Sequence, residues 1–148
     1  MSKDLKISQV FRRSDAIYIM AVRRTDSGGI SSPKIKKLRV DECPDILGRT
    51  IREALSEVPS FPIQLNLAVA RNEYLDALRT LGFRSSGAFE KNDLLVAVNI
   101  NNGTFEIVPH RRAELGGFEG VQNLTRPLDI SDEALGTLIS AIFLQMQT

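Results

Sequence analysis

The stretch Leu94-Leu95-Val96-Ala97-Val98-Asn99-Ile100-Asn101-Asn102-Gly103-Thr104-Phe105-Glu106-Ile107-Val108-Pro109 decides the fold class. Two runs rich in β-branched and aromatic residues flank Asn101-Asn102-Gly103, and Asn-Gly tolerates the positive φ angles that a tight hairpin turn requires. The spacing predicts strands over Leu94–Ile100 and Thr104–Val108, closed by Pro109, which has no N–H for a further ladder bond. Earlier in the chain, Lys6–Phe11 and Ala16–Val22 read as another strand pair around the turn Arg12-Arg13-Ser14-Asp15. In the second of these, Ile17, Ile19 and Ala21 alternate with Tyr18, Met20 and Val22. Both faces are apolar, so this strand is expected to be central and covered on both sides. Asp26-Ser27-Gly28-Gly29 reads as a turn or loop. Lys34–Val40, Ile63–Leu67 and Phe83–Phe89 are expected as further strands on their alternating or aromatic content.

Helical spacing takes over elsewhere. Pro44 and Asp45 suit the first turn of a helix carrying Ile46, Leu47, Ile51, Ala54, Leu55 and Val58, which Pro59 stops. A second helix is expected over Asn72–Leu81, ended by Gly82. A third begins at Ser131, whose hydroxyl can cap it, with Asp132 and Glu133 in the electropositive first turn and an apolar stripe running to Met146. Residues 110–130 read as irregular, with Gly116, Gly117 and Gly120 around Phe118. The expected fold is α+β: one domain over residues 1–148, mainly an antiparallel sheet of about five to six strands packed with about three helices.

Two helices echo each other. Leu47-Gly48-x-x-Ile51-x-x-Ala54-Leu55 recurs as Leu135-Gly136-x-x-Ile139-x-x-Ile142-Phe143. A helical glycine costs roughly 0.5–1 kcal/mol relative to alanine, so two at matching places predict close approach of another backbone.

Composition bounds the rest. The chain has 148 residues, 43% hydrophobic and 25% charged, which is globular rather than disordered or collagen-like. Its single cysteine, Cys43, excludes an internal disulfide or a cysteine-based zinc cage. The N-terminus leads into no apolar run of signal-peptide type, and Leu138–Met146, broken by Ser140 and Gln145, falls short of the ~20 residues of a membrane span. The expectation is a soluble, cytoplasmic protein. The near-neutral total conceals a gradient: residues 1–60 hold 12 Lys/Arg against 8 Asp/Glu, and residues 114–148 hold 1 against 5. Such a dipole bears on partners and steering, not on fold.

Reactive groups are sparse. His110 is the only imidazole, set between Pro109 and Arg111-Arg112, and no nucleophile motif accompanies it. An enzyme acting on a phosphorylated substrate through His110 and those arginines is one reading; a polar histidine at a strand end is the plainer one. Cys43 follows Asp41 and Glu42, whose charge opposes thiolate formation, and is expected to be half-buried at a helix start. One His and one Cys make no zinc site, no calcium loop occurs, and the Gly116–Gly120 segment lacks a phosphate-binding pattern, so no cofactor or metal is expected. The run Lys34-Ile35-Lys36-Lys37-Leu38-Arg39 could touch phosphate, which gives a nucleic-acid-binding alternative. Yet no aromatic interleaves for base stacking, and lysines at a sheet edge also guard it against pairing. Glu114, Glu119, Asp129, Asp132 and Glu133 lie within twenty residues, opposed by Arg126 alone, and could form a negative patch for a basic partner.

In order and spacing, these elements resemble the CdiI family of contact-dependent growth inhibition immunity proteins. The resemblance is carried by the N-terminal strand pair and by Leu47-Gly48 with Ile51 and Ala54-Leu55. It continues through the strand ending in Val108-Pro109, the loop Gly116-Gly117-Phe118, and Ser131-Asp132-Glu133-Ala134-Leu135-Gly136 with its aliphatic tail. It implies a bacterial inhibitor, not an enzyme, whose partner is the C-terminal toxin domain of a cognate CdiA effector. It further implies that the toxin is a nuclease, most often an RNase, covered at its active site. No binding residue transfers from the family pattern. The toxin-binding candidates are therefore the five carboxylates Glu114, Glu119, Asp129, Asp132 and Glu133. No membrane or nucleic-acid partner is expected, and the chain is expected as a monomer or weak homodimer.

Overall fold

The computed structural model describes residues 5–90, 94–112, 118–120 and 123–147, with the backbone alone at Glu90, Arg111, Arg112 and 118–120. Its elements are β1 (Leu5–Arg12), β2 (Ala16–Thr25), β3 (Gly28–Ser31), β4 (Lys36–Arg39), α1 (Pro44–Ser56), α2 (Leu67–Thr80), α3 (Ser86–Glu90), β5 (Leu94–Asn101), β6 (Thr104–Arg112), β7 (Phe118–Gly120), β8 (Leu124–Pro127) and α4 (Asp132–Met146). All eight strands join one sheet, in the order β3-β2-β1-β5-β6-β7, with β4 on β2 and β8 on β6. Every pairing is antiparallel.

The sheet has six positions across its width. Each outer position is shared by two short strands: β4 pairs with Ala16–Ile19 and β3 with Val22–Thr25 of β2, while β8 and β7 divide β6 between them. That arrangement explains Pro109. It lies within β6 opposite Val96, at the gap where the outer partner changes from β8 to β7, so its missing N–H interrupts no outer bond. The hairpin forms as expected: Asn101 pairs with Thr104, and Asn102 and Gly103 take φ of 52° and 77°.

The two faces differ. Val10, Ile17, Ile19, Val96, Val98, Phe105 and Ile107 form one side of the main core, beneath Leu47, Ile51 and Leu55 of α1 and Leu135, Ile139 and Phe143 of α4. On the other face Phe11, Ala16, Tyr18, Met20 and Leu95 pack with Leu78 and Phe89. There Phe89 meets Phe11 edge-to-face at 4.9 Å, Tyr18 at 5.4 Å and Phe83 at 5.0 Å. β2 is thus covered on both sides over its buried half, as its doubly apolar pattern predicts.

Four sequence expectations need correction. Phe83–Phe89 is a turn followed by the short α3, because its aromatics plug the second face instead of extending the sheet. Ser85 starts that turn, its Oγ accepting from Ala88 N at 3.1 Å. Ile63–Leu67 joins no strand. Ile63 N donates one bond to Arg24 O, and Asn66 then caps α2 by accepting from Val69 N, so the helix begins five residues before Asn72. Within residues 110–130 regular pairing continues through the end of β6, β7 and β8; Gly116 and Gly117 lie outside the described residues. Cys43 is exposed, not half-buried.

Candidate functional site

The acidic segment is built around the start of α4. Ser131 caps it as expected, its Oγ accepting from Ala134 N at 3.0 Å. This end is locked to α1 by the paired glycines: a Cβ built on Gly48 would stand 2.7 Å from the carbonyl carbon of Asp132, and one on Gly136 would stand 2.6 Å from that of Pro44. Each glycine is the fifth residue of its helix and meets the first residue of the other. The helices therefore cross at their N-terminal turns, and the close approach expected from the sequence echo is mutual.

Arg52 secures the same end. Its Nε donates to Asp132 Oδ1 at 2.7 Å, Nη1 to Leu128 O at 2.9 Å and Nη2 to Ile130 O, while the guanidinium lies 5.0 Å from the centre of the Phe105 ring. Three donors from one planar group thus hold the β8–α4 turn and cap. No sequence pattern singled out Arg52, because its partners are 76 to 80 residues away.

The five carboxylates consequently differ. Asp132 is half-buried and paired with Arg52. Asp129 and Glu133 are exposed. Glu119 stands on β7 opposite Arg111, with only its backbone described, and Glu114 falls outside the described residues. Asp129 lies in the turn just beyond Pro127, which pairs with Thr104 at the hairpin end of the sheet.

Comparison with known proteins fits this geometry. Residues 31–144 match the family profile described as CdiI: CDI immunity protein. The chain belongs to the CdiI family. The matched span holds both glycine helices and the capped start of α4. Among solved structures, a protein of unknown function from Neisseria meningitidis, NMB0488, is similar with a TM-score of 0.79 at 20% identity, covering 97% of each chain. A CdiA-CT/CdiI toxin and immunity complex from Yersinia pseudotuberculosis is similar with a TM-score of 0.74 at 18% identity, covering 94% of this chain and 96% of that one. At such identities the likeness is one of fold. A search of curated proteins gives no match.

The remaining candidates read differently once placed on a CdiI fold. His110 faces Leu95 on β5 and Gly120 on β7. Burial pushes its pKa below the ordinary 6.5, and its Nδ1 is sealed with no hydrogen-bond partner among the described residues. No group of three or more His, Cys, Asp or Glu suited to a metal occurs among those residues, and no helix there is long and apolar enough to cross a membrane. The basic run 34–39 does not make one phosphate track. Lys36 points with Leu38 toward the α1 side and pairs with Glu57 at 2.7 Å, whereas Lys37 lies 5.9 Å over the Tyr18 ring and Arg39 pairs with Asp41 at 3.2 Å.

Proposed function

We propose that the whole chain, acting as one immunity domain, binds the C-terminal toxin domain of a cognate CdiA effector and covers its active site. The toxin in this reading is a nuclease, and specifically an RNase. Membership of the CdiI family across residues 31–144 carries the proposal. The Yersinia pseudotuberculosis neighbour, itself part of a toxin and immunity complex, supports it. Inhibition proceeds by occlusion, without turnover.

Charge supplies the physical logic. A nuclease presents basic side chains to phosphate, and carboxylates on an inhibitor attract that surface and accelerate encounter. Asp129 and Glu133 are exposed and can act in this way, joined by Glu114 and Glu119 of the adjoining chain. Asp132 contributes less to the external field because Arg52 neutralises it locally.

Co-expression with the C-terminal domain of a cognate CdiA effector tests the reading. Cells should grow normally with both proteins and arrest with the toxin domain alone. RNA cleavage by the purified domain should stop at a one-to-one ratio. Arrest in the presence of both proteins would end the proposal.

A further inference from the structure

Helix α4 is uncharged on its outer side as well as on its buried one. Ala134–Met146 carries no charged residue, and Leu135, Gly136, Ile139, Ile142 and Phe143 supply the buried face. Glu133, Thr137, Ala141 and Leu144 follow at i, i+4, i+8 and i+11, which sets them on one outward ridge. All four are exposed. Leu144, at 67%, is the most exposed large apolar side chain among the described residues. A helix that covers a core on one side ordinarily presents charge on the other. Here only the first turn does, through Asp132 and Glu133.

Two depressions adjoin this ridge. The first, about 460 Å³, is lined by Ser131, Glu133, Ala134, Thr137, Leu138 and Ala141 along the N-terminal half of the helix. It has room for a leucine side chain, and its one charge is negative. The second, about 230 Å³, lies at the C-terminal end, where Phe143 and Leu144 meet Ile17, Val40 and Arg12. That volume is below the ~300 Å³ at which small-molecule sites begin, so the depression suits a side chain and not a free ligand. Its one charge is positive. Neither Glu133 nor Arg12 makes an ion pair among the described residues. The two ends of α4 are therefore complements of each other in shape and in charge.

We propose that α4 packs antiparallel on α4 of a second copy of this chain, about a two-fold axis crossing the ridge between Thr137 and Ala141. Leu144 of each copy then enters the N-terminal depression of the other. Thr137 lies against the partner's Ala141, and Glu133 reaches the partner's Arg12. The small side chains at Thr137, Ser140 and Ala141 let the two backbones approach to the ~8–10 Å of ordinary helix packing. Antiparallel pairing also sets opposite dipole ends together. Because an isologous contact uses one patch twice, Leu144 and the ion pair each count twice. A contact made by one helix face is small, so the dimer is weak, with a dissociation constant on the order of 10–100 μM. At nanomolar dilution the copies separate, which leaves Glu133 open to the toxin domain.

Sedimentation velocity of the full chain, from about 1 to 500 μM, brackets that constant and tests the contact. The mean mass should climb from monomer toward dimer across the range. Leu144→Lys changes an exposed side chain, so the fold should hold while association weakens by about tenfold or more. Glu133→Arg and Arg12→Glu should each weaken it by about tenfold through like-charge contact. The double variant should recover most of the loss, because the swap restores both pairs across the axis. A chain that stays monomeric at the top of the range overturns the pairing. So does a dimer that survives Leu144→Lys, or a double variant no stronger than its single parents. If the chain is monomeric throughout and Leu144→Lys loses the toxin domain instead, the ridge belongs to the toxin and not to a second copy.

Discussion

Gly136 packs against the backbone of Pro44 so closely that no side chain fits between them, and Gly48 repeats the contact on Asp132. Two helix N-termini meet there, each a positive dipole end, with Asp45, Asp132 and Glu133 in the first turns to offset them. The contact fixes α1 and α4 as one unit over the sheet, and it sets where the acidic turn lies.

On helix propensity alone, Gly48→Ala and Gly136→Ala would each gain up to about 1 kcal/mol. Backbone atoms stand where the methyl would go, so the expected outcome is a net loss of about 2 kcal/mol or more in each case. Urea denaturation would measure it. The double variant should lose less than the sum, because one separation of the helices relieves both clashes.

Arg52→Gln should cost about 2 kcal/mol, since it removes charge-assisted bonds to Leu128 O and Ile130 O. Arg52→Lys should restore only part, because an ammonium cannot span three separate acceptors in a plane. Asp132→Asn should cost under about 1 kcal/mol, as expected for a partly solvated pair. Denaturant midpoints of the three variants, compared at one pH, would rank the carbonyl bonds against the ion pair.

His110 ties stability to acidity. Burial lowers its folded-state pKa below 6.5, so above that pH both folded and unfolded forms are neutral and the group contributes nothing. As pH falls below 6.5 the unfolded chain binds the proton first. Stability is therefore lost progressively down to the lowered folded pKa. Melting temperatures collected between about pH 5 and 8 should show this acid-side loss, and His110→Gln should flatten it. An identical slope in the variant would assign the loss to groups other than His110.

Asp129→Lys combined with Glu133→Lys should slow association with the toxin domain, with a larger effect at low salt than at high. Stopped-flow association rates at two ionic strengths would show it. Equal rates for the variant and the unaltered chain would remove steering from the account.

The sequence by itself determined the local features. Asn102-Gly103 determined a hairpin because its backbone freedom is intrinsic, and Ser131 capped a helix because its partner is three residues away. The apolar periods of α1 and α4 and the paired glycines were likewise visible, since those patterns repeat within a single helix. Tertiary structure alone decided whether Phe83 and Phe89 would extend a sheet or plug one, for aromatic content suits either and only the gap over Tyr18 selects. It also decided that Arg52 would hold a cap some 80 residues away, and that Asp132 would be spent on that arginine while Asp129 stayed exposed. Strand alternation shows which residues share a side, but whether a helix covers them depends on where α2 comes to rest, and that is fixed by packing between distant segments.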